Sequence, residues 1–139
     1  MKISLIQPGR NNLKYLKWSY DSIRKNQGKH EVEMMDKDPL FKALKWDGPE
    51  RVGHTILYDR LVNEIATKDI CMIYHADMYL MPGALDAIED ELKDKTIVSL
   101  TRIEPPLHPD GPEKILKDFG VEPEEFKEDD LLEWFTKPV

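Results

Sequence analysis

Residues 70–86 read ICMIYHADMYLMPGALD: an apolar run, then His75-Ala76-Asp77, then a second short apolar step closed by Pro82-Gly83. The run 70–74 is long enough for a strand buried on both faces, as in a parallel sheet. Cys71, inside it, then reads as a small core residue. A carboxylate at the tip of such a strand sits where α/β proteins gather ligands and metal ions. Asp77 is therefore the first candidate site residue.

Working outward, residues 2–7 form a short β-prone run stopped by Pro8-Gly9. Asn12 is placed to cap a helix over 13–26, in which Leu13, Leu16, Tyr20 and Ile23 recur at spacings of three and four. Residues 31–35 read as a second strand, followed by the acidic loop Asp36-Lys37-Asp38-Pro39. Residues 40–46 suit one or two helical turns, with Asp47-Gly48-Pro49 as a turn. A helix is expected over 54–66, where Leu57, Leu61 and Ile65 share one apolar line. Another is expected over 84–92, with Leu85, Ile88 and Leu92 inward. Residues 96–103 read as a fourth strand, broken by Pro105-Pro106. Pro112 and Gly120 bracket an expected helix over 113–119, and the stretch 123–135 reads as helical, with Phe126, Leu131, Leu132 and Phe135 on its apolar side.

Alternating strands and helices imply an α/β domain, its mostly parallel sheet covered by helices on both faces. Strand C-terminal ends then share one edge. The loops 8–12, 36–38 and 75–77 converge there, and three polar loops from three strands make one crevice. The 139 residues suit a single domain, with 105–139 as an acidic, mainly helical C-terminal extension.

Of the net charge of −7, all is accounted for by residues 110–133, where ten Asp and Glu face three Lys; the remainder is balanced at 17 against 17. No concentrated basic face exists to bind nucleic acid. A solvated acidic helix face explains the segment. No apolar run approaches the roughly 18–20 residues of a membrane span, and Ile3-Ser4-Leu5-Ile6 is too short for a signal peptide. A single cysteine allows no intrachain disulfide, which fits a reducing cytoplasm. The cluster Leu131, Leu132, Trp134 and Phe135 could present an apolar patch and favour a homodimer.

The pieces ISLIQPGRNN, EVEMMDKD, GPERVGHTILYDRLVNEIATKD and ICMIYHADMYLMPGALD, in that order, resemble family-2 glycosyltransferases of the GT-A fold across residues 1–103. The resemblance implies a GT-A, Rossmann-like and shortened fold that binds a nucleotide-diphosphate sugar and passes the sugar to an acceptor. It places Pro8, Asn11 and Asn12 in the first nucleotide-binding loop, Asp36 and Asp38 beside the nucleoside, and Gly53 ahead of the central helix. Asp77 matches the second acid of the DxD motif that holds a divalent cation on the diphosphate. His75 stands where the first acid would be, giving HxD, and Met78 replaces a further acid. Mn²⁺ or Mg²⁺ is the implied metal, and imidazole suits Mn²⁺ better. No catalytic base is assigned, because in the family it comes from the acceptor-binding half, and Glu104 is the sole acid near a later strand end. The chain thus reads as a donor-binding half. A non-catalytic module with a degenerate GT-A fold is the alternative.

Other residues have plainer readings. Trp18 and Trp46 could flank a sugar, though Trp18 lies in an amphipathic helix that favours packing; Met34, Met35, Met72 and Met81 read as core filler. Of Tyr74 and Tyr79, one is expected in the core and one at the pocket. Arg10 or Arg51 could contact a diphosphate and His108 could supply a third metal ligand, but lone loop residues of these types read first as solvated. Asp77 itself could cap the helix that begins near Pro82. One glycine in QPGRNNLK speaks against a nucleotidyltransferase, and no GxGxxG follows the first strand. The position of the Asp motif and the Pro-rich loop at 104–112 fit a receiver-like module poorly.

Overall fold

A computed structural model describes residues 1–7, 13–34, 58–95, 97–107 and 109–137. The chain is mixed α/β and divides into two compact units, Met1–Lys93 and Asp94–Val139. The division falls ahead of residue 105, where the sequence suggested that an extension begins.

The first unit is built on three parallel strands, β1 (Lys2–Ile6), β2 (Glu31–Met34) and β3 (Ile70–Ile73), in the order β2-β1-β3. Ile3 pairs with Val32 on one side and Ile70 on the other. β1 is therefore bonded along both edges and is buried from Ile3 to Ile6. Alternation along a strand sends Ile3 and Leu5 to one face and Ser4 and Ile6 to the other. On the first face Ile3, Leu5, Val32 and Met34 pack with Ile23 of α1 (Leu13–Asn26) and Leu85 of α2 (Ala84–Leu92), together with Tyr74 and Leu80. Ile6 instead packs with Leu16 and Leu61. Helix α2 has the boundaries its sequence predicts. It opens at Gly83, whose φ of 80° a side chain would strain, and Leu85 and Ile88 face the core.

Of the helix expected over 54–66, the described part is helical: residues 58–60 are α-helical and Leu61–Ile65 form a π-helical turn closed by Ala66 N–H donating to the Leu61 carbonyl at 2.9 Å. At the strand entrances, His30 is buried between the Met1 ammonium and the Asp86 carboxylate. An ammonium can only donate, so Nδ1 accepts from it at 2.8 Å and Nε2 donates to Asp86 at 2.7 Å. These bonds tie α2 to the starts of β1 and β2.

Two readings of the opening stretch need correction. β3 is covered on one face only: Ile70 and Met72 are half-buried against the core, while Ile73, on the other face, is 54% exposed. Cys71 is likewise exposed rather than a core residue.

The second unit holds two three-residue strands, β4 (Arg102–Glu104) and β5 (Lys114–Leu116), which pair in parallel as a separate sheet. Of the strand expected over 96–103, the described residues 97–101 are irregular, and β4 begins only at Arg102 and runs one residue past the expected end. The helix expected over 113–119 is replaced by β5. Seven residues offer too few internal bonds to repay helix nucleation, whereas pairing with β4 brings Lys114 Nζ to 2.9 Å from Glu104 and Arg102 to 3.4 Å from Glu113. The stretch 123–135 splits into a 3₁₀ turn, Pro123–Glu125, and α3 (Glu128–Thr136). Glu128, Asp129 and Asp130 fill the first turn of α3, where the helix dipole favours anions. Leu131 faces inward, but Phe135, expected on the apolar side, is exposed. Trp134 meets Phe119 at 5.7 Å between ring centroids, with Lys117 over both rings. No helix among the described residues is long and apolar enough to cross a membrane.

Candidate functional site

The strand order marks a candidate position. From β1 the chain moves to β2 on one side, then to β3 on the other, so the connections diverge between β1 and β3. In open α/β sheets ligands bind outside the strand C-termini at such a point. Gln7 follows β1 there and His75-Ala76-Asp77 follows β3. The last backbone bond between the two strands is Tyr74 N–H to the Ile6 carbonyl, at 3.0 Å. One step further, Gln7 Nε2 donates to the His75 carbonyl at 2.7 Å and to Ser19 Oγ at 2.8 Å.

Beyond the tip, α1 holds the returning chain. Ser22 Oγ accepts from Leu80 N–H at 3.0 Å and donates to the Ser19 carbonyl at 2.7 Å. Asn26 Nδ2 donates to the Leu80 carbonyl at 2.9 Å and to Tyr79 Oη at 3.1 Å. Tyr79 also lies 5.9 Å from Trp18, centroid to centroid, so Trp18 packs against this segment. Ser19, Ser22 and Asn26 recur at three and four residues and form one stripe of the helix. The tip is therefore anchored at His75 and at Leu80, with Ala76, Asp77 and Met78 between.

His75 and Asp77 both present exposed side chains on this tip. Asp77 does not cap α2, whose N-cap is Gly83 with no side-chain bond. Tyr74 is the buried tyrosine of the pair, and loss of solvation pushes its hydroxyl far above the ordinary range, so it serves as a neutral group. Glu104 is ion-paired with Lys114.

On the Ser4 face of the sheet, Ser4 Oγ donates to Glu33 at 2.9 Å and accepts from the backbone N–H groups of Thr67 and Lys68 at 3.2 and 3.0 Å. Thr67 also donates to Glu33 through its hydroxyl. Burial pushes the Glu33 carboxyl upward, but the bonds from Thr67 and Ser4 prevail and hold it below its ordinary 4.5. This network fixes the chain entering β3.

Of the residues singled out in the sequence, His75 and Asp77 stand together on the tip. Pro8, Asn11, Asn12, Asp36, Asp38 and Gly53 lie outside the described residues, as do Trp46, His108, Arg10 and Arg51. Sequence reasoning missed Gln7, Ser19, Ser22 and Asn26. Ser19, Ser22 and Asn26 share a helical spacing beside the apolar line Leu16, Tyr20 and Ile23, but that spacing alone does not tell a supporting stripe from a solvated one, and Gln7 carries no signal at all. No family model, curated protein or solved structure matches the chain.

Proposed function

We propose that this chain is the donor-binding half of a GT-A-type glycosyltransferase that takes a nucleotide-diphosphate sugar, with transfer to an acceptor. The observation that carries the reading is the His75-Ala76-Asp77 tip, exposed at the C-terminal end of β3 beside the end of β1, where the strand connections diverge. The order of motifs in residues 1–103 supports it independently.

The donor set suits a divalent cation. Asp77 offers a hard carboxylate oxygen and His75 an imidazole, a combination that accommodates Mn²⁺ as well as Mg²⁺. No group of three or more His, Cys, Asp or Glu side chains converges among the described residues. Hard cations on phosphate substrates commonly take one or two protein ligands and complete their shell with phosphate oxygen and water. Asp77 and His75 would hold the ion, which would neutralise the charge developing on the leaving diphosphate. In the same reading Asp36 and Asp38 face the nucleoside, Pro8, Asn11 and Asn12 line its loop, and the setting is cytoplasmic. Self-association through exposed apolar residues of the second unit belongs to the proposal as well.

Calorimetric titration of UDP and GDP, with and without Mn²⁺, tests the reading on the native chain and Asp77→Ala. Metal-dependent binding of one nucleotide, weakened at least ~10-fold in the variant, is expected from loss of a charged ligand. Absence of nucleotide binding by the native chain overturns it. Binding without hydrolysis or transfer of any sugar nucleotide assigns the non-catalytic alternative.

A further inference from the structure

Gln7 is fully buried, yet only half of its amide is satisfied. Both Nε2 hydrogens are used, on Ser19 Oγ and on the His75 carbonyl, while Oε1 is buried without a partner among the described residues. Turning the amide over would set Oε1 against the His75 carbonyl, acceptor against acceptor, so the bond to His75 fixes its orientation. A buried, unpaired acceptor loses its hydration with nothing in return, a net cost to folding. An apolar side chain of similar volume would avoid that penalty, so packing alone does not account for a glutamine here.

What the amide does is extend the sheet. The β1–β3 backbone ladder ends at Tyr74, and the Gln7 side chain supplies the next rung, to the residue that opens the tip. Through Ser19 the rung is braced on α1, the helix that also grips Leu80 through Ser22 and Asn26. We propose that Gln7 is a positioning residue that holds the backbone of His75-Ala76-Asp77 so that the His75 and Asp77 side chains meet a cation–diphosphate in one fixed geometry. Its bearing on ligand rests on the donor-site reading above; its hold on the tip does not.

The two parts are separable by experiment on the full chain. Gln7→Leu keeps volume and removes both bonds. Native-state hydrogen exchange is expected to speed up about 10-fold at the amides of Tyr74 and Leu80, which flank the tip and are bonded to the Ile6 carbonyl and to Ser22 Oγ. The β1 and β2 amides should stay within about 3-fold of native. UDP affinity in Mn²⁺ should fall by a similar ~10-fold. Ser19→Ala, which leaves the Gln7–His75 bond but removes its brace, should give a smaller change at the same two amides, and it serves if Gln7→Leu does not fold. Unchanged exchange at the tip in the variant that folds, or acceleration spread evenly over all three strands, overturns the positioning role. Faster tip exchange with unchanged Mn²⁺-dependent affinity overturns its link to the ligand. A native chain that binds no nucleotide defeats the donor-site reading, and the exchange data still decide the hold on the tip.

Discussion

The two units differ in how they dispose of apolar surface. Among the described residues, the first buries Ile3, Leu5, Ile6, Leu16, Ile23, Val32, Met34, Leu61, Tyr74, Leu80 and Leu85, and exposes one large hydrophobe, Ile73. The second buries Phe119 and Leu131 and exposes Ile97, Leu100, Leu107, Ile115, Val121 and Phe135. Topology explains the contrast. In β1, Ile3 and Leu5 on one face and Ile6 on the other each meet a cluster of helix and loop side chains, whereas two three-residue strands create little surface to pack against. The second unit is held instead by local devices: an aromatic pair under Lys117, ion pairs across β4 and β5, and a glycine turn.

That comparison breaks most readily at Leu5. Leu5→Ala is expected to lower stability by about 2–5 kcal/mol, the usual cost of a cavity in a packed core; urea unfolding followed by far-ultraviolet circular dichroism measures it. A loss under ~1 kcal/mol would mean that the first unit is no better packed than the second.

The sharpest point of the second unit is Gly120, with φ of 113° and a Cβ position only 2.5 Å from the Glu125 carbonyl oxygen. Gly120→Ala should cost ~2 kcal/mol from backbone strain and crowding together. Near-ultraviolet dichroism should register disturbance of the Phe119–Trp134 pair, and an unaltered spectrum with unaltered stability would refute the role of the turn.

A third difference is electrostatic. Glu31, Glu33 and Glu89, all in the first unit, have carboxyl groups held below their ordinary value: Glu31 by Lys68, Glu89 by Lys29 and then the Met1 ammonium, and Glu33 by Thr67 and Ser4 against its burial. A lowered folded value means that each contributes stability above pH about 4.5 and loses it as the pH falls through the folded value. Urea midpoints measured from pH 6 to pH 3 should therefore decline for the native chain. The decline should be shallower for Glu33→Gln, with the two curves converging at the acid end. Parallel curves would contradict the assignment.

The smallest effect is expected at Phe135. Phe135→Ser should change stability by no more than about 0.5 kcal/mol, since the ring is already exposed. If the apolar residues of the second unit mediate self-association, light scattering should show a mass above that of one chain, reduced by the substitution. A monomeric native mass removes the homodimer from the proposal.

What the sequence conveyed, and what it did not, follows from the range of the forces involved. Helices at 13–26 and 84–92 were legible because Leu16, Tyr20 and Ile23, or Leu85 and Ile88, repeat at helical spacing between Gly and Pro stops. Strands at 2–6, 31–34 and 70–73 were legible from β-prone runs. The exposure of Cys71 and Ile73 was not, since an apolar run carries no information about whether a neighbour covers its second face. Nor was β5, because Ile115-Leu116 is too short for either period to declare itself and only pairing with β4 decides. At the site, the exposed pair His75 and Asp77 could be read from the end of an apolar run. Its supports could not. Gln7, Ser19, Ser22 and Asn26 are ordinary surface residues by type, and the bonds of Gln7, Ser22 and Asn26 to the tip depend on a chain segment some sixty residues away meeting them.

The central place of β1 carries a consequence for how the molecule is made. Its two sheet partners begin at Glu31 and Ile70, so a ribosome that has released the first strand must synthesise through Ile73 before that strand is covered on both sides. At roughly 5–20 residues per second, the β1–α1–β2 unit spends several seconds with one backbone edge of an apolar strand open. An unpaired edge of that kind templates association with other chains. During biosynthesis, the most sheltered strand of the finished protein is its most vulnerable.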